Sequence, residues 1–522
     1  MKRGAIFLTM AWAACAPRVP GVDELRTRAE LTDYRETSSY ADVVAFARFV
    51  AEADPSIRYT TFGYTSEGRA LPLLVVGDVE DASPEAVRAS GKTVVYLQGN
   101  IHGGEVCGKE ALQMLLRDRA NGAHAEWAAS MVLLVAPIYN ADGNERVALT
   151  NRPRQHGPIG GMGQRPNAQG YDLNRDHMKL DSPEARSVAR LLTEYDPHVT
   201  LDLHTTNGTR HAYHLTYSPP LHPNTPPAID ALLRERLLPH VTGEIRAAHG
   251  WEFYYYGNAF APQGSGERGW YTFDHRPRFN NNYIGLRNRV AILSEAYAYA
   301  TFEERVRATL GFVEEVLGYV HEHGDEIRAI VAEADSTSPA GDSLALRAVP
   351  RRSPERIEIL MGEVEEERHP LTGGVMLRRR DVRRPEPMAE YGAFDGTDRE
   401  RVPAGYLVPA DLEEIVIRLR AHGVRLEAGP AAAGTGLEAF RVDSVRTSGE
   451  PFQGHAEQTL FGAWEPRAVD PPAETWWVPT DQPLGRLVFS LLEPRSDDGF
   501  ADWGFLAETL DPGAEYPILR VP

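Results

Sequence analysis

The sequence has 522 residues, of which 42% are hydrophobic and 25% are charged. This composition is typical of globular proteins and excludes a disordered or fibrous chain, and the length allows two or three domains. The formal net charge of −19 argues against a nucleic-acid partner and against an anionic membrane surface, because both would repel the protein.

The first twenty residues differ in composition from the rest of the chain. Lys2 and Arg3 precede an apolar run that is too short to span a bilayer, and small residues surround Cys15. We therefore expect an export signal over residues 1–20 and a periplasmic or secreted protein. Two cleavage sites remain open. Cleavage before Cys15 would leave a lipid anchor on that cysteine, the one membrane contact we expect, and cleavage after Ala16 would release the protein.

Apolar strands then alternate with amphipathic helices up to about residue 335. Helical spacing of apolar residues predicts helices at 40–54, 108–120, 182–196 and 301–324. Continuous apolar runs predict buried strands at 92–100, 130–140, 198–204 and 289–297. This alternation predicts an α/β fold with a mixed, mostly parallel sheet and helices on both faces.

The last third of the chain has a different character. Residues 336–355 are polar and rich in proline and serine, which predicts a linker between a catalytic domain at 21–335 and a further domain at 356–522. Strand-like segments dominate that last part, with two helices expected at 410–421 and 482–492. We therefore predict a smaller α+β or β-rich C-terminal domain.

Polar side chains stand at the carboxyl ends of four predicted strands. They are His102 with Glu105, then Asn140, His204 and Glu295. Ligands bind at that edge of open α/β sheets, so residues distant in sequence can share one site there. His102 and Glu105 lie in the stretch "HGGE", which by itself is either a polar turn with a helix-start acid or a pair of metal ligands.

The residue types at this edge suit zinc. A catalytic zinc site has three protein ligands and one open position, and His102, Glu105 and His204 would supply two imidazoles and one carboxylate. Gly103 and Gly104 are expected to let the backbone turn tightly enough for both side chains to face one point. A ligating histidine usually needs a carboxylate on its other ring nitrogen, a role open to Asp172 or Asp202.

Five motifs in order carry a resemblance to a known family. "HGGE" after a strand, "PIYNADGNER", "GYDLNRD", "DLHT" and a late strand-end glutamate resemble the zinc metallocarboxypeptidases of the carboxypeptidase A family, over about residues 40–325. Two segments of the C-terminal half resemble the tails of large bacterial relatives. The expected protein is therefore a large, exported bacterial member with a C-terminal accessory domain.

The resemblance implies a single zinc ion and its ligands. These fall on His102, Glu105 and His204, and the acid that orients the first histidine falls on Asp172, in preference to Asp202. The family's general base falls on Glu295, which would take a proton from the attacking water.

The resemblance also implies residues that hold the substrate. The pair that binds a terminal carboxylate falls on Asn174 and Arg175, and a guanidinium suits that task because it can bind a carboxylate with two hydrogen bonds. The family's mobile tyrosine has two candidates, Tyr271 and Tyr283, of which Tyr283 is taken as substrate-binding.

A further arginine of the family polarises the scissile carbonyl group. Spacing from the "NADG" motif does not separate Arg152 from Arg154, so both are taken as catalytic. The implied activity is zinc-dependent removal of C-terminal residues from peptides that have a free C-terminus. One alternative is a zinc amidohydrolase that acts on N-acyl amino acids, and a weaker one is a non-catalytic module that binds a cell wall or surface. The sequence makes no prediction of the oligomeric state.

Overall fold

The computed structural model describes residues 21–206, 208–261, 266–429, 436–467 and 474–522. The expected export signal at 1–20, including Cys15, lies outside the described residues. Within the described ranges, no helix is both long enough and apolar enough to cross a membrane.

Among the described residues, nine strands precede residue 300, and all but one of them form a single sheet. They are β1 (Ile57–Tyr64), β2 (Ala70–Val76), β3 (Thr93–Gly99), β4 (Met131–Ala136), β5 (Val199–Thr205), β6 (Leu215–Ser218), β7 (Phe253–Tyr255), β8 (Gly269–Tyr271) and β9 (Val290–Ala296). The eight-stranded sheet has the order β1-β2-β4-β3-β5-β9-β6-β7. Its four central strands, β4, β3, β5 and β9, are mutually parallel. The outer pairs β1-β2, β2-β4 and β6-β9 are antiparallel.

In the described part of the chain, ten α-helices accompany this sheet. They are α1 (Arg28–Leu31), α2 (Tyr40–Ala53), α3 (Pro84–Ala89), α4 (Cys107–Ala120), α5 (Ala141–Glu145), α6 (Pro183–Glu194), α7 (Pro227–Ala231), α8 (Leu238–His249), α9 (Asn280–Leu286) and α10 (Phe302–Ser336). Alternate strand residues face opposite sides of the sheet. Leu97 and Val135 pack with α2, α4, α8 and α10, whereas Tyr96 and Leu134 pack with α6 and α9. The predicted α/β fold, a mixed sheet covered on both faces, is confirmed.

The C-terminal part is rich in strands, as predicted. It contains β10 (Ser343–Arg351), β11 (Arg356–Arg368), β12 (Val375–Tyr391), β13 (Ala393–Arg401), β14 (Gly405–Pro409), β15 (Glu427–Ala428), β16 (Leu437–Thr447), β17 (Gln458–Arg467), β18 (Thr475–Pro479), β19 (Leu519–Val521), α11 (Glu413–Ala421) and α12 (Gly485–Leu492). Six of these strands form a sheet of order β15-β18-β14-β19-β16-β17. The helices expected at 410–421 and 482–492 are found as α11 and α12.

The segment predicted as a linker is partly a strand. β10 lies within 336–355 and pairs with β13. Leu344 and Leu346 explain the difference, because they bury against Phe489 of α12 although proline and serine surround them in the sequence. The proposed division into domains remains a prediction.

The C-terminal part packs closely on the rest of the chain. One hydrophobic cluster joins Ile284 of α9 to Leu419 of α11 and Leu487 of α12. β12 also pairs in parallel with β8, in a three-stranded sheet of order β11-β12-β8. This pairing brings residues from beyond position 340 to the edge of the sheet where the predicted site lies.

Candidate active site

The three predicted metal ligands meet at the carboxyl edge of the sheet. His102 and Glu105 lie in the loop between β3 and α4, and His204 lies near the end of the adjacent strand β5. Nδ1 of His102 is 2.9 Å from Oε1 of Glu105, and Nδ1 of His204 is 2.9 Å from Oε2 of the same carboxylate. Their ligand atoms lie within 4.8 Å of one another, and all three side chains are buried.

An asparagine at the end of β3 shapes the ligand loop. Asn100 adopts a left-handed conformation with φ of 64°. Its side-chain Nδ2 lies 3.1 Å from the carbonyl oxygen of His102, 3.2 Å from that of Gly103 and 3.3 Å from that of Glu105. These contacts close the loop on itself, which fixes both ligands against the start of α4.

The two glycines of the loop lie in the expected tight turn, in which the Glu105 amide donates to the carbonyl oxygen of His102 at 2.9 Å, and they serve a second purpose. Neither Gly103 nor Gly104 has a positive φ. A Cβ atom on Gly103 would instead lie 2.4 Å from the carbonyl carbon of Gly143. A Cβ atom on Gly104 would lie 2.6 Å from the carbonyl oxygen of Gly163. Besides forming the turn, the glycines therefore allow three loops to approach one another closely.

Each histidine is oriented by its own carboxylate. Nε2 of His102 lies 3.0 Å from Oδ1 of Asp172, and Nε2 of His204 lies 2.8 Å from Oδ2 of Asp202. Asp172 and Asp202 were alternatives for orienting one histidine, and in the structure each contacts a different one. Because Nε2 is engaged in both rings, both present Nδ1 toward Glu105. Two imidazole nitrogens and a carboxylate arranged in this way fit the donor set of a catalytic zinc site.

The ligand cluster is strongly coupled electrostatically. Although burial opposes ionisation, His102 and Arg152 hold the pKa of the Glu105 carboxyl well below its usual range. Burial likewise opposes ionisation of Asp172, yet His102 and Arg165 hold the pKa of its carboxyl well below the usual range. Both carboxylates are therefore charged and available to a cation or an imidazole at neutral pH.

Glu295 lies beside His204 and faces the same cavity. β5 and β9 pair in parallel register, with His204 opposite Glu295. Among the described residues, none donates a hydrogen bond to its buried Oε2. Burial and, against the opposing effect of His204, the charge of Glu105 raise the pKa of the Glu295 carboxyl to about 8. A buried carboxyl group whose pKa lies near neutrality, and whose Oε2 is free of hydrogen bonds among the described residues, can both accept and release a proton.

Two arginines approach the metal ligands, and only one of them was predicted. Nη2 of Arg152 donates to Oε1 of Glu105 at 2.5 Å. Arg165 donates from Nε to Oδ2 of Asp172 at 2.9 Å, and its Nη1 is 3.7 Å from Oε1 of Glu105. Arg165 was missed because it lies in a loop without periodicity. Its position seven residues before Asp172, in the same loop, was the one available signal.

The structure does not bring Arg154 to the metal ligands, and its catalytic role stays a prediction. Its side chain is exposed and forms no hydrogen bond or ion pair with the ligand residues within the described part of the chain. The physical reason is the path of the loop, since the carbonyl oxygen of Arg154 accepts a hydrogen bond from the Leu377 amide of β12 at 3.0 Å.

The predicted carboxylate-binding pair lies in the cavity that contains Glu295. This cavity has a volume of about 740 Å³ and is lined by both Asn174 and Arg175. The guanidinium of Arg175 stacks 3.8 Å from the ring centre of Phe279, and no carboxylate of the described residues forms an ion pair with it. Burial lowers the pKa of Arg175 to about 10, so it remains charged at neutral pH. The Asn280 amide donates to Oδ1 of Asn174 at 2.8 Å and thereby fixes that side chain.

The structure corrects the assignment of Tyr283 as substrate-binding. Tyr283 is fully buried, and its hydroxyl lies 2.8 Å from Nδ1 of His422 and accepts from Nη1 of Arg287 at 3.1 Å. The ring belongs to the core between α9 and the C-terminal part, not to the cavity. Tyr271, the other candidate, does line the cavity and stacks on Tyr391.

Several cavity residues had no signal that sequence reasoning used. Tyr256 follows β7, which is parallel to β6 and therefore antiparallel to β9 and the other central strands. The rule that placed the ligands at the carboxyl ends of parallel strands does not predict this residue. Pro350, Tyr391 and Phe394 come from the C-terminal part and also line the cavity. Their contribution depends on strand pairing across more than 100 residues of chain, such as that of Tyr391 with Tyr271.

Comparison with known proteins agrees with this geometry. The sequence profile of the zinc carboxypeptidase family (peptidase M14) matches residues 43–235. Carboxypeptidase 2 of Trichophyton rubrum is 26% identical over 507 residues, which cover 91% of this chain and 85% of that protein. Carboxypeptidase D of Anas platyrhynchos is 29% identical over 181 residues, 33% of this chain and 12% of that protein.

Among solved structures, the metallo-carboxypeptidase of Burkholderia cenocepacia aligns with a TM-score of 0.41 and 19% identity, over 55% of this chain and 70% of that one. The relatives that span most of the chain, including carboxypeptidase 2 of Trichophyton rubrum, are fungal, so the expected bacterial affiliation is not supported. N-acyl amino acid hydrolysis is not favoured either. The profile match and the long relatives support the zinc carboxypeptidase family, and the chain is an enzyme that uses one zinc ion to hydrolyse peptide bonds.

Proposed function

We propose that this enzyme is an exopeptidase that removes single residues from the free C-terminus of peptides. The observation that carries the proposal is Arg175. This guanidinium has no carboxylate partner within the described residues, and it lines the same cavity as the metal ligands and Glu295. A cation fixed in that position is suited to bind the terminal carboxylate of a substrate whose last peptide bond lies near the metal ligands.

We assign the zinc ligands to Nδ1 of His102, Nδ1 of His204 and the carboxylate of Glu105. The ion, when bound there, supplies Lewis acidity to the scissile carbonyl group and to water. Asp172 and Asp202 keep both rings in orientation through Nε2. With the imidazoles so fixed, the site need not reorganise during the reaction.

Proton transfer is assigned to Glu295. Its Oε2 forms no hydrogen bond within the described residues, so this oxygen can accept a proton from the attacking water. The same carboxyl then donates that proton to the nitrogen of the departing amino acid, which balances the hydrolysis. General catalysis of this kind contributes about 10²- to 10⁴-fold in rate.

The two arginines near Glu105 are given different tasks. Arg152 is assigned to the scissile carbonyl oxygen, where a fixed donor stabilises the developing negative charge. Arg165 is assigned to holding Asp172, with which it forms two contacts below 3 Å. Arg152→Ala should therefore lower kcat at full zinc loading, whereas Arg165→Ala should lower zinc affinity.

The proposal is tested by the products formed from matched peptides. Zinc-loaded enzyme is incubated with one peptide as the free acid and as the C-terminal amide, and also with an N-acetyl amino acid. We expect mass spectrometry to show release of one C-terminal residue from the free acid alone. Internal cleavage, or equal cleavage of the amide, would refute exopeptidase action. Hydrolysis of the N-acetyl amino acid alone would favour the amidohydrolase alternative.

A second variant tests the base. Glu295→Gln keeps the shape of the side chain but cannot accept the proton, so kcat should fall by about 10²- to 10⁴-fold while the zinc content stays at that of the wild type. Full activity in this variant would remove Glu295 from the mechanism.

We also propose that the enzyme acts after export. The support is the basic and apolar composition of residues 1–20, which precede the described part of the chain. Fractionation of cells that express the full chain and its Cys15→Ala variant would test the two cleavage sites. A wild-type membrane fraction that is lost in the variant indicates the lipid anchor, and retention of both proteins in the cytoplasm would refute export.

A further inference from the structure

The substrate cavity has a wall that the matched family region does not supply. Pro350, Tyr391 and Phe394 line it, although the family profile ends at residue 235 and the predicted catalytic domain at 335. They face a cavity that also contains Arg175, Glu295 and the ligand cluster. The C-terminal part is therefore a component of the substrate site.

This wall is held by strand pairing on both sides. Tyr391, the last residue of β12, is in register with Tyr271 of β8, and their rings stack with centroids 4.1 Å apart and planes 8° apart. The Thr272 amide donates to the carbonyl oxygen of Tyr391 at 3.1 Å. Phe394 of β13 is in register with Pro350 of β10. Residues held in strands keep their positions better than residues of free loops.

The surface around Arg175 is aromatic, as this wall is. Phe279, on which Arg175 stacks, lies 5.0 Å from the ring of Phe273, and Phe273 lies 5.5 Å from Tyr256. Together with Tyr391 and Phe394, these rings line the same cavity as Arg175. An aromatic or aliphatic side chain can be buried there without leaving a polar group unpaired.

Asp274, the acidic side chain that lines the cavity beside Phe273 among the described residues, is already neutralised. Nε and Nη2 of Arg276 donate to Oδ2 of Asp274 at 2.7 and 2.5 Å. Asp274 is thus paired and offers little to a lysine or arginine side chain of a substrate. Arg175, by contrast, lines the cavity without a carboxylate partner among the described residues, and its positive charge would repel a basic side chain of the substrate.

We propose that Tyr391 and Phe394 are specificity-determining residues, which select an aromatic or large aliphatic side chain on the C-terminal residue of the substrate over small and basic ones. This inference rests on the proposed exopeptidase function, because it places the selected side chain on the residue whose carboxylate Arg175 holds. The C-terminal part thereby decides which peptides are cleaved, while residues before 300 carry out the hydrolysis.

The test uses the full-length, zinc-loaded enzyme and blocked peptides that differ only in their last residue, phenylalanine, alanine or arginine. We expect the wild type to prefer phenylalanine. In Tyr391→Ala and in Phe394→Ala, the ratio of kcat/KM for phenylalanine to that for alanine should fall about 10-fold, mainly through KM, because the contact is made in ground and transition state alike. Tyr391→Phe keeps the stacked ring and should keep the ratio.

Phe461→Ala is the matched control, because Phe461 is a 46% exposed aromatic residue of the C-terminal part and does not line the cavity. Thermal melting and zinc content of each variant establish that it is folded. Folded Tyr391→Ala and Phe394→Ala enzymes with an unchanged phenylalanine-to-alanine ratio would overturn the inference, as would an equal loss for all three peptides. A wild type that cleaves none of the peptides would refute the proposed function instead, which separates the two failures.

Discussion

Replacement of Arg175 tests whether the buried guanidinium binds the end of the substrate. The side chain is buried against Phe279 and has no carboxylate partner among the described residues, so a substrate carboxylate would be its first ion pair. A hydrogen bond to a charged group contributes about 1.5–3 kcal/mol. Two such bonds contribute about 3–6 kcal/mol, and each 1.4 kcal/mol is a factor of ten. We therefore expect Arg175→Ala to lower kcat/KM by about 10²- to 10⁴-fold.

Arg175→Lys separates charge from geometry. Lysine keeps the positive charge but presents a point charge in place of a planar fork, so one of the two hydrogen bonds is lost. We expect kcat/KM of Arg175→Lys to fall by about 10- to 100-fold, less than that of Arg175→Ala.

The assay compares each enzyme on a free-acid peptide and on its C-terminal amide. The wild type should cleave the free acid far faster, and Arg175→Ala should lose activity on the free acid while its low activity on the amide hardly changes. Arg28→Ala serves as the control, because Arg28 is exposed and lies in α1. A loss of equal size on both peptides would refute the reasoning, because Arg175 would then stabilise the cavity rather than bind the carboxylate.

Three further predictions concern the metal centre and stability. Asp202→Asn should weaken zinc binding by about 10- to 100-fold, measured by competition with a chelator, because it removes the carboxylate that orients His204; unchanged affinity would contradict that role. Gly103→Ala should lower zinc content and melting temperature, because the new Cβ would lie 2.4 Å from the backbone of Gly143, and a variant with wild-type values would show that the loops can separate. Burial raises the pKa of the Glu493 carboxyl to about 7, so this group binds its proton more tightly in the folded state and its contribution to stability falls as pH rises from about 4.5 to about 7. Glu493→Gln should remove that fall, which amounts to about 3 kcal/mol of unfolding free energy. The melting temperature of the variant minus that of the wild type should therefore be higher at pH 8 than at pH 4, and a difference that does not change with pH would contradict this role.

The order of strands and helices was predictable because it depends on local patterns. Buried parallel strands are continuous apolar runs, and their carboxyl ends meet at one edge, so His102, Glu105, His204 and Glu295 could be brought together without knowledge of coordinates. The aspartates could be proposed for the same reason, since alternation along β5 places Asp202 on the face of His204.

What could not be predicted depends on contacts between distant segments. Tyr283 precedes the proposed base by only twelve residues, yet its ring packs on His422, whose position in the fold the sequence does not reveal. Arg154 and Arg152 are two residues apart in a loop without periodicity, so only the hydrogen bond to Leu377 separates them. The linker prediction failed in part because composition was weighed above the two leucines that bury in β10.

The C-terminal part is synthesised last, yet it contacts residues that support the site. The amide of Asp172, the residue that orients His102, donates to Oε1 of Gln453 at 2.8 Å. The main-chain amide and Nε of Arg278, the residue before Phe279, donate to the carboxylate of Asp498. Synthesis must therefore proceed past Asp498 before both supports exist. A product that ends before Gln453 would contain the three proposed zinc ligands and yet lack these two contacts, so we expect it to have less peptidase activity than the longer chain.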